Sequence, residues 1–267
     1  MRKSLSVFLP LILLGVVAAC ADETTGPQTS TDEVDATAEA LALAEGLALP
    51  GTNTDRETGA APTGTLSQPC RYNETEGRWV CAPIVRNGLT FRRSFAYLDE
   101  NGDPMRRFDP NLTAATNTRN AVNGTLLRDG ATIQIRSAGE MTISGLLGEE
   151  TSRTFDGREI GRREIDAVTD QGRVHSVIEF ANRTIAVVIP VVRQTDATTR
   201  VRPWPLSGQT IRGHAVTATR NGETRTERWR ETTTFNGTAI VPVEIVSSSR
   251  GTLSCVRNLE TGKLTCE

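Results

Sequence analysis

The chain has 267 residues, a formal charge of −2 at pH 7 and an aromatic content of only 4%. This length suffices for one large domain or two small ones. The nearly balanced charge predicts no strong field that would recruit nucleic acid or an anionic membrane. The low aromatic content argues against stacking platforms for sugars or single strands. We therefore expect no nucleic-acid partner.

The first twenty residues have the pattern of an export signal. Arg2 and Lys3 precede an apolar run from Leu5 to Val17, and small residues follow it. A run of about 13 residues is too short for a spanning helix, which needs roughly 20. The sequence Val17-Ala18-Ala19-Cys20 resembles the lipobox of bacterial lipoproteins.

That resemblance implies a signal peptide over residues 1–19 and a lipid on Cys20, because in that family the cysteine is acylated and becomes the mature N-terminus. Several acyl chains together anchor a protein stably, so Cys20 would attach it to a membrane. Ala21, rather than Asp, follows the cysteine, which favours the outer over the inner membrane. Ordinary signal cleavage beside a chance cysteine is the alternative.

Residues 20–68 are predicted to be a tether with one short helix. Small polar residues fill 21–30, and a segment rich in Ala, Leu and Glu follows at about 31–49. Thr31 provides an N-cap, and Pro50-Gly51 ends the helix. Its apolar residues spread widely around the helix. It could therefore lie on lipid, dock on the later domain, or remain a marginal isolated helix.

Residues 69–267 are predicted to form one mainly β domain. Turn signals recur roughly every 8 to 14 residues, and the segments between them alternate Thr, Val, Ile and Arg, as antiparallel strands do. We expect a meander of about ten strands. Hairpin patterns leave an open curved sheet, a sandwich and a soluble barrel as alternatives.

The clearest hairpin surrounds Asn221-Gly222. A two-residue turn there sets Arg220 opposite Glu223 and Arg212 opposite Glu231, so the sequence predicts a long hairpin over 210–233. Asn236-Gly237 is predicted to continue the meander.

Three other turns give weaker registers, and Asp129-Gly130 and Asp156-Gly157 are further turn candidates. The three are Asn101-Gly102 with Leu98 opposite Met105, Ser137-Ala138-Gly139 with Ile135 opposite Met141, and Asp170-Gln171-Gly172 with Ile165 opposite Val177.

Four cysteines remain after Cys20, in two pairs of equal spacing. Ten residues separate Cys70 from Cys81, and ten separate Cys255 from Cys266. Four cysteines allow three pairings, and the repeated spacing favours a disulfide within each pair. Zinc ribbons use a much shorter spacing. Each bridge would contribute roughly 3 kcal/mol to stability by the chain-entropy model.

The sequence lacks the common catalytic and cofactor motifs, including GxSxG, HExxH, the phosphate loop and GxGxxG. His175 and His214 are predicted opposite Ala167 and Trp229, away from metal-ligand partners. The acidic stretch 99–103 is interpreted as a turn rather than a calcium loop. Glu223, Glu227 and Glu231 share one strand face and are interpreted as solvated ion pairs. We expect no enzyme activity, no cofactor and no metal site.

These patterns predict an exported, membrane-anchored cell-envelope lipoprotein that acts as a non-catalytic binding or scaffolding module. Its partners would be the membrane, through Cys20, and other envelope proteins. The alternative is a carrier of a lipophilic ligand, and a hydrolase is a third possibility. A carrier requires a deep cavity, whose expected lining is Ile133, Ile135, Met141, Ile143, Val187 and Val188.

Overall fold

The computed structural model describes residues 69–128, 130–169, 172–191 and 204–267. These residues form fourteen β-strands and no helix. The strands are β1 Cys70–Asn73, β2 Arg78–Cys81, β3 Ile84–Arg86, β4 Leu89–Leu98, β5 Pro104–Met105, β6 Ala115–Arg128, β7 Ala131–Ser144, β8 Ser152–Thr169, β9 Gly172–Pro190, β10 Ser207–Arg220, β11 Glu223–Thr234, β12 Ile240–Ser247, β13 Gly251–Asn258 and β14 Leu264–Cys266.

All fourteen strands belong to one antiparallel sheet. The order is β1-β2-β4-β6-β7-β8-β9-β10-β11-β12-β13-β14, and β3 and β5 both pair with β4. The predicted mainly β meander is therefore confirmed, with fourteen strands rather than about ten. Among the three alternatives, the described residues adopt the open sheet and not a closed barrel.

One face of the sheet is apolar and buried. Its central cluster contains buried side chains from six neighbouring strands, β4 and β6 to β10, including Ile133 and Ile135 of β7, Ile165 of β8, Ile178 of β9 and Val216 of β10. These side chains are 1–3% exposed. Since successive side chains of a strand point to opposite faces, the alternate residues form a second face, which is polar. We call the two the buried face and the polar face.

The long hairpin at Asn221-Gly222 has the predicted register. Arg220 pairs with Glu223, Arg212 with Glu231 and His214 with Trp229. Asn221 has φ 51° and Gly222 has φ 85°, as this two-residue turn requires. Asn236-Gly237 lies in the connection between β11 and β12, as expected.

The predicted turn at residues 137–139 is wrong. Ala138 lies in the middle of β7, opposite Ala121 and Ile160. The hairpin instead closes between Arg128 and Ala131, where Gly130 has φ 79°. Gly130, from the weaker candidate Asp129-Gly130, thus lies at the turn, because it supplies the left-handed conformation that a two-residue turn needs.

Two other registers differ from the prediction by one residue. Thr169 pairs with Gly172, so only two residues separate the strands and Ile165 lies opposite Ser176. Leu98 pairs with Pro104, because the Asp99 carboxylate accepts hydrogen bonds from the backbone N–H groups of Asn101 and Asp103 and shapes a longer loop. The candidate Asp156-Gly157 lies at an irregularity of β8 rather than at a turn.

The cysteines pair locally, as predicted. The sulfur atoms of Cys70 and Cys81 are 2.08 Å apart, and those of Cys255 and Cys266 are 2.05 Å apart. Each pair joins the two strands of an edge hairpin. The signal peptide, Cys20 and the tether helix at 31–49 lie outside the described residues. No helix in the described part of the chain is long and apolar enough to cross a membrane.

Candidate functional site

The polar face carries a row of small and apolar residues that crosses the strands. Consecutive members lie directly opposite one another on β6, β7, β8, β9 and β10. The row consists of Ala121, Ala138, Ile160, Ala181 and Gly213. It ends at Arg92 on β4 and Arg230 on β11. Neighbouring strands lie about 4.8 Å apart, so six steps give the row a length of about 29 Å.

Arginines line this row on both sides, two residues along each strand. We call the row and its flanks the arginine groove. The arginines are Arg119, Arg158 and Arg183 on one side, Arg136, Arg162 and Arg228 on the other, and Arg92 and Arg230 at the ends. All eight are exposed. Part of the groove forms a depression of about 720 Å³ whose lining includes Ala121, Ala138 and Ile160.

Four of these arginines form two cross-strand pairs, in which the two arginines lie directly opposite each other on neighbouring strands. Arg136 lies opposite Arg162, and Arg158 lies opposite Arg183. Like charges in directly opposite positions destabilise a sheet. Such local conflicts are expected at functional sites, where another requirement overrides stability.

The groove keeps a positive excess after its ion pairs are considered. Four carboxylates contact its arginines: Glu140, Glu164, Glu179 and Glu244. Within the described residues, no carboxylate lies within 4.0 Å of the remaining guanidinium groups, which belong to Arg92, Arg136, Arg183 and Arg228. The arrangement can therefore bind anions without first breaking an internal pair at these four positions.

Glu140 is the carboxylate most fully engaged in the groove. It accepts a hydrogen bond of 2.9 Å from Asn117 and lies 3.3 Å from Arg119 and 3.8 Å from Arg158. The hydrogen bond from Asn117 lowers the pKa of Glu140; burial opposes this effect, and Arg119 and Arg158 reinforce it. One ionised carboxylate is thus shared by two arginines, which leaves both partly unneutralised.

His175 lies between two carboxylates, contrary to the prediction. The one-residue register difference places it opposite Asp166 rather than Ala167. Its Nδ1 is 3.1 Å from Asp166 Oδ1, and its Nε2 is 3.9 Å from Glu164 Oε1. Glu164, Asp166 and His175 therefore form a group of three possible metal ligands that the sequence did not predict, and their donor atoms lie within 4.8 Å of one another.

Arginines beside this group already pair with its two carboxylates. Arg173 lies 3.6 Å from the Asp166 carboxylate and Arg162 lies 3.2 Å from that of Glu164. The imidazole also directs its two nitrogens towards different carboxylates. A cation with ligand distances of about 2.0–2.2 Å would have to displace these contacts.

Five aromatic side chains form a strip at the edge of the sheet that contains β1, β2 and β4. Neighbouring ring centroids are 5.5–6.3 Å apart. In order of contact, the residues are Tyr72, Trp79, Phe95, Tyr97 and Phe108. The low overall aromatic content hides this clustering. Three of the four contacts are edge-to-face, so the rings pack chiefly on one another.

Three other ionisable residues that the sequence offered as possible site residues, Glu227, Glu231 and His214, lie on the buried face. Arg257 donates two hydrogen bonds, of 2.9 and 2.7 Å, to the two carboxylate oxygens of Glu231, so this pair is not the solvated one that the sequence predicted. Glu227 accepts hydrogen bonds from Ser247 and Ser249. Burial chiefly lowers the pKa of His214, whose ring stacks on Trp229 with centroids 4.9 Å apart.

The arginine groove was missed because the predicted turn at 137–139 divides β7. With the true register, arginines recur at even positions of neighbouring strands, as at 136, 158 and 162. The period-2 placement of arginine beside alanine was the available sequence signal. No protein-family model, curated protein or solved structure matches the chain.

Proposed function

We propose that the protein is a lipid-anchored, non-catalytic binding module of the cell envelope that holds an extended polyanion in the arginine groove. The observation that carries this proposal is the pair of opposed arginines on each side of the small-residue row. A repeating carboxylate or phosphate polymer would neutralise these charges. The planar guanidinium matches both groups through paired hydrogen bonds.

The shape of the groove supports an extended ligand rather than a compact one. Arginines are spread along about 29 Å, at the strand spacing of about 4.8 Å, instead of converging on one point. Apart from Ile160, the floor consists of alanine and glycine and carries little side-chain volume, so a chain can approach the backbone of the sheet closely at those positions. The side chain of Ile160, which is 63% exposed, offers the ligand a nonpolar contact.

The carrier alternative gains no support from its expected cavity lining. Ile133 and Ile135 are buried within a packed cluster. Val188 lies opposite Thr154, on the polar face, so it cannot line the same cavity as Val187. A surface-binding role is therefore the better proposal.

Calorimetric titration of the full chain tests the proposed ligand class. The probes are polyphosphate and polygalacturonate, which separate phosphate from carboxylate recognition. The variant Arg136→Gln/Arg162→Gln/Arg183→Gln should bind the recognised polymer about tenfold more weakly or worse, since polyanion affinity depends on the number of neutralised charges.

The matched control is Arg250→Gln, which removes an exposed arginine in the β12–β13 turn. It should bind like the unmodified chain. Equal affinity of the triple variant and the unmodified chain, or no binding of either polymer, would refute the proposed ligand class.

A further inference from the structure

The charges of the chain are divided unevenly between the tether and the domain. Residues 21–68 contain nine carboxylates and one arginine, a formal charge of −8. Residues 69–267 contain 27 basic and 23 acidic side chains, a formal charge of +4. The overall charge of −2 therefore conceals an acidic segment joined to a basic domain.

The segment 31–49 has the composition expected of an occupant of the arginine groove. It carries five carboxylates and no basic residue, and its other residues are mostly Ala and Leu. The carboxylates are Asp32, Glu33, Asp35, Glu39 and Glu45. Apolar side chains suit the small-residue floor, and the carboxylates suit the arginines on its flanks.

The dimensions also agree. Nineteen residues in a helix span about 28 Å at 1.5 Å per residue, and the groove is about 29 Å long. Its flanking rows lie two residues from the floor on either side, which gives a width of about 13 Å. A helix with its side chains is about 10–12 Å across.

The chain enters the domain at the end of the groove. The Pro69 carbonyl accepts a hydrogen bond of 3.0 Å from the backbone N–H of Ala82. Cys81, which is disulfide-bonded to Cys70, lines the depression in the groove. A random-coil linker of the length of 50–68 would have a root-mean-square reach of about 24 Å. The effective concentration of the segment 31–49 at the groove is therefore about millimolar.

We infer that the segment 31–49 docks as a helix in the arginine groove of its own chain. This inference rests on the proposed function in that it assigns a competitor to the same groove. Docking shortens the tether between Cys20 and the domain, and a polyanion must displace the segment before it binds. The acidic segment would thus raise the polyanion concentration that is needed to occupy the groove.

Paramagnetic relaxation enhancement tests the docking directly. The sample is the chain 20–267 with Cys20→Ala and with Ala44→Cys carrying a spin label. We expect the amide signals of Ala121, Ala138, Ile160 and Ala181 to lose at least half of their intensity. Signals of Thr252 and Ser254, farther along the sheet, should keep theirs. The loss should disappear in 1 M salt, where screening shortens the range of electrostatic attraction to about 3 Å.

Matched variants separate charge-driven docking from chance proximity. Replacement of all five carboxylates of 31–49 by their amides should abolish the signal loss, and Asp55→Asn/Glu57→Gln in the linker should preserve it. Absent or uniform signal loss, or loss that survives the five replacements, would overturn the inference. So would signal loss between separately labelled and isotope-enriched chains that matches the loss within one chain, because the contact would then join two copies.

This readout is independent of any added polymer. Signal loss confined to the groove without polyanion binding would retain the docking and refute the proposed ligand. If both hold, the five-amide variant should bind the polymer more tightly than the unmodified chain does. Unchanged affinity in that variant would show that the segment does not compete for the groove.

Discussion

Arg136 on β7 lies directly opposite Arg162 on β8, and both side chains are exposed on the polar face. Arg162 contacts Glu164 and Glu179 at 3.2 and 3.6 Å, whereas no carboxylate of the described residues lies within 4.0 Å of Arg136. Opposed like charges cost stability in a sheet. The proposed polyanion would account for this pair, because its negative charges would neutralise both guanidinium groups.

Removal of this conflict should stabilise the domain while weakening ligand binding. Arg136→Gln should raise the free energy of unfolding by about 0.2–1 kcal/mol, the usual size of a cross-strand pair effect. Urea denaturation at low salt measures the change, with Arg250→Gln as a control that should leave stability unaltered. A clear loss of stability in Arg136→Gln would indicate that Arg136 makes a favourable contact instead.

The turn at Asn221-Gly222 should be sensitive to its backbone conformation alone. A Cβ atom at Gly222 meets no atom within 4 Å, but φ there is +85°. Gly222→Val should therefore lower stability by about 1–3 kcal/mol through backbone strain rather than collision. Thermal melting measures this effect.

Two further variants of the same turn should have a larger and a smaller effect on stability than Gly222→Val. Insertion of one residue after Asn221 should be more damaging, because it moves side chains of β11 to the wrong face. Glu223→Gln should change stability by no more than about 0–1 kcal/mol, as for exposed ion pairs. Three equal and negligible shifts would contradict the observed register.

Glu231 should contribute stability that depends on pH. Burial raises the pKa of Glu231. The hydrogen bonds and charge of Arg257, together with the charge of Arg212, lower it by a larger amount, so the net pKa lies below the ordinary value of 4.5. A carboxyl group of this kind stabilises the fold above its unfolded-state pKa and ceases to do so as the pH falls through the folded-state pKa.

Glu231→Gln should therefore cost about 1–3 kcal/mol at pH 7, because the partly buried Arg257 loses its charged partner. The difference from the unmodified chain should shrink as the pH falls below 4.5, because the carboxyl group of the unfolded chain then binds a proton more readily than the native one does. Denaturation at pH 7 and pH 3 compares the two proteins. A deficit that does not change with pH would exclude the charge of Glu231 as its cause.

Replacement of Cys20 tests the proposed membrane anchor. Cys20→Ala removes the site of acylation implied by the lipobox resemblance, so the protein should move from the membrane fraction to the soluble fraction. Immunoblots of fractionated cells measure the distribution. Continued membrane association would transfer the anchoring role to another segment, with 31–49 as the first candidate.

The sequence predicts this fold well where a turn demands unusual dihedral angles. Asn221-Gly222 supplies two positive φ values in succession, and the flanking Thr and Arg/Glu pairs agree with only one register. The prediction fails at 137–139 because β7, β8 and β9 are 14, 18 and 19 residues long. Typical strands have 5–6 residues, so a glycine in mid-strand resembles a turn.

The candidate site depends on registers between strands, which explains why it could not be predicted. A shift of one residue at Thr169–Gly172 separates His175 from Asp166, and division of β7 removes Arg136 from Arg162. The arginines themselves are visible in the sequence, but their opposition across strands is a property of the correct pairing. Local patterns fix which residues share a face; long-range pairing fixes which of them meet.

The salt dependence of polyanion binding tests the central claim most directly. Each arginine that neutralises an anion of a nucleic-acid-like polymer contributes about 0.7–0.9 to the slope of log affinity against log salt concentration. We predict a steep slope for the unmodified chain and a slope smaller by about 2 to 3 for Arg136→Gln/Arg162→Gln/Arg183→Gln. Identical slopes for the two proteins would contradict binding in the arginine groove.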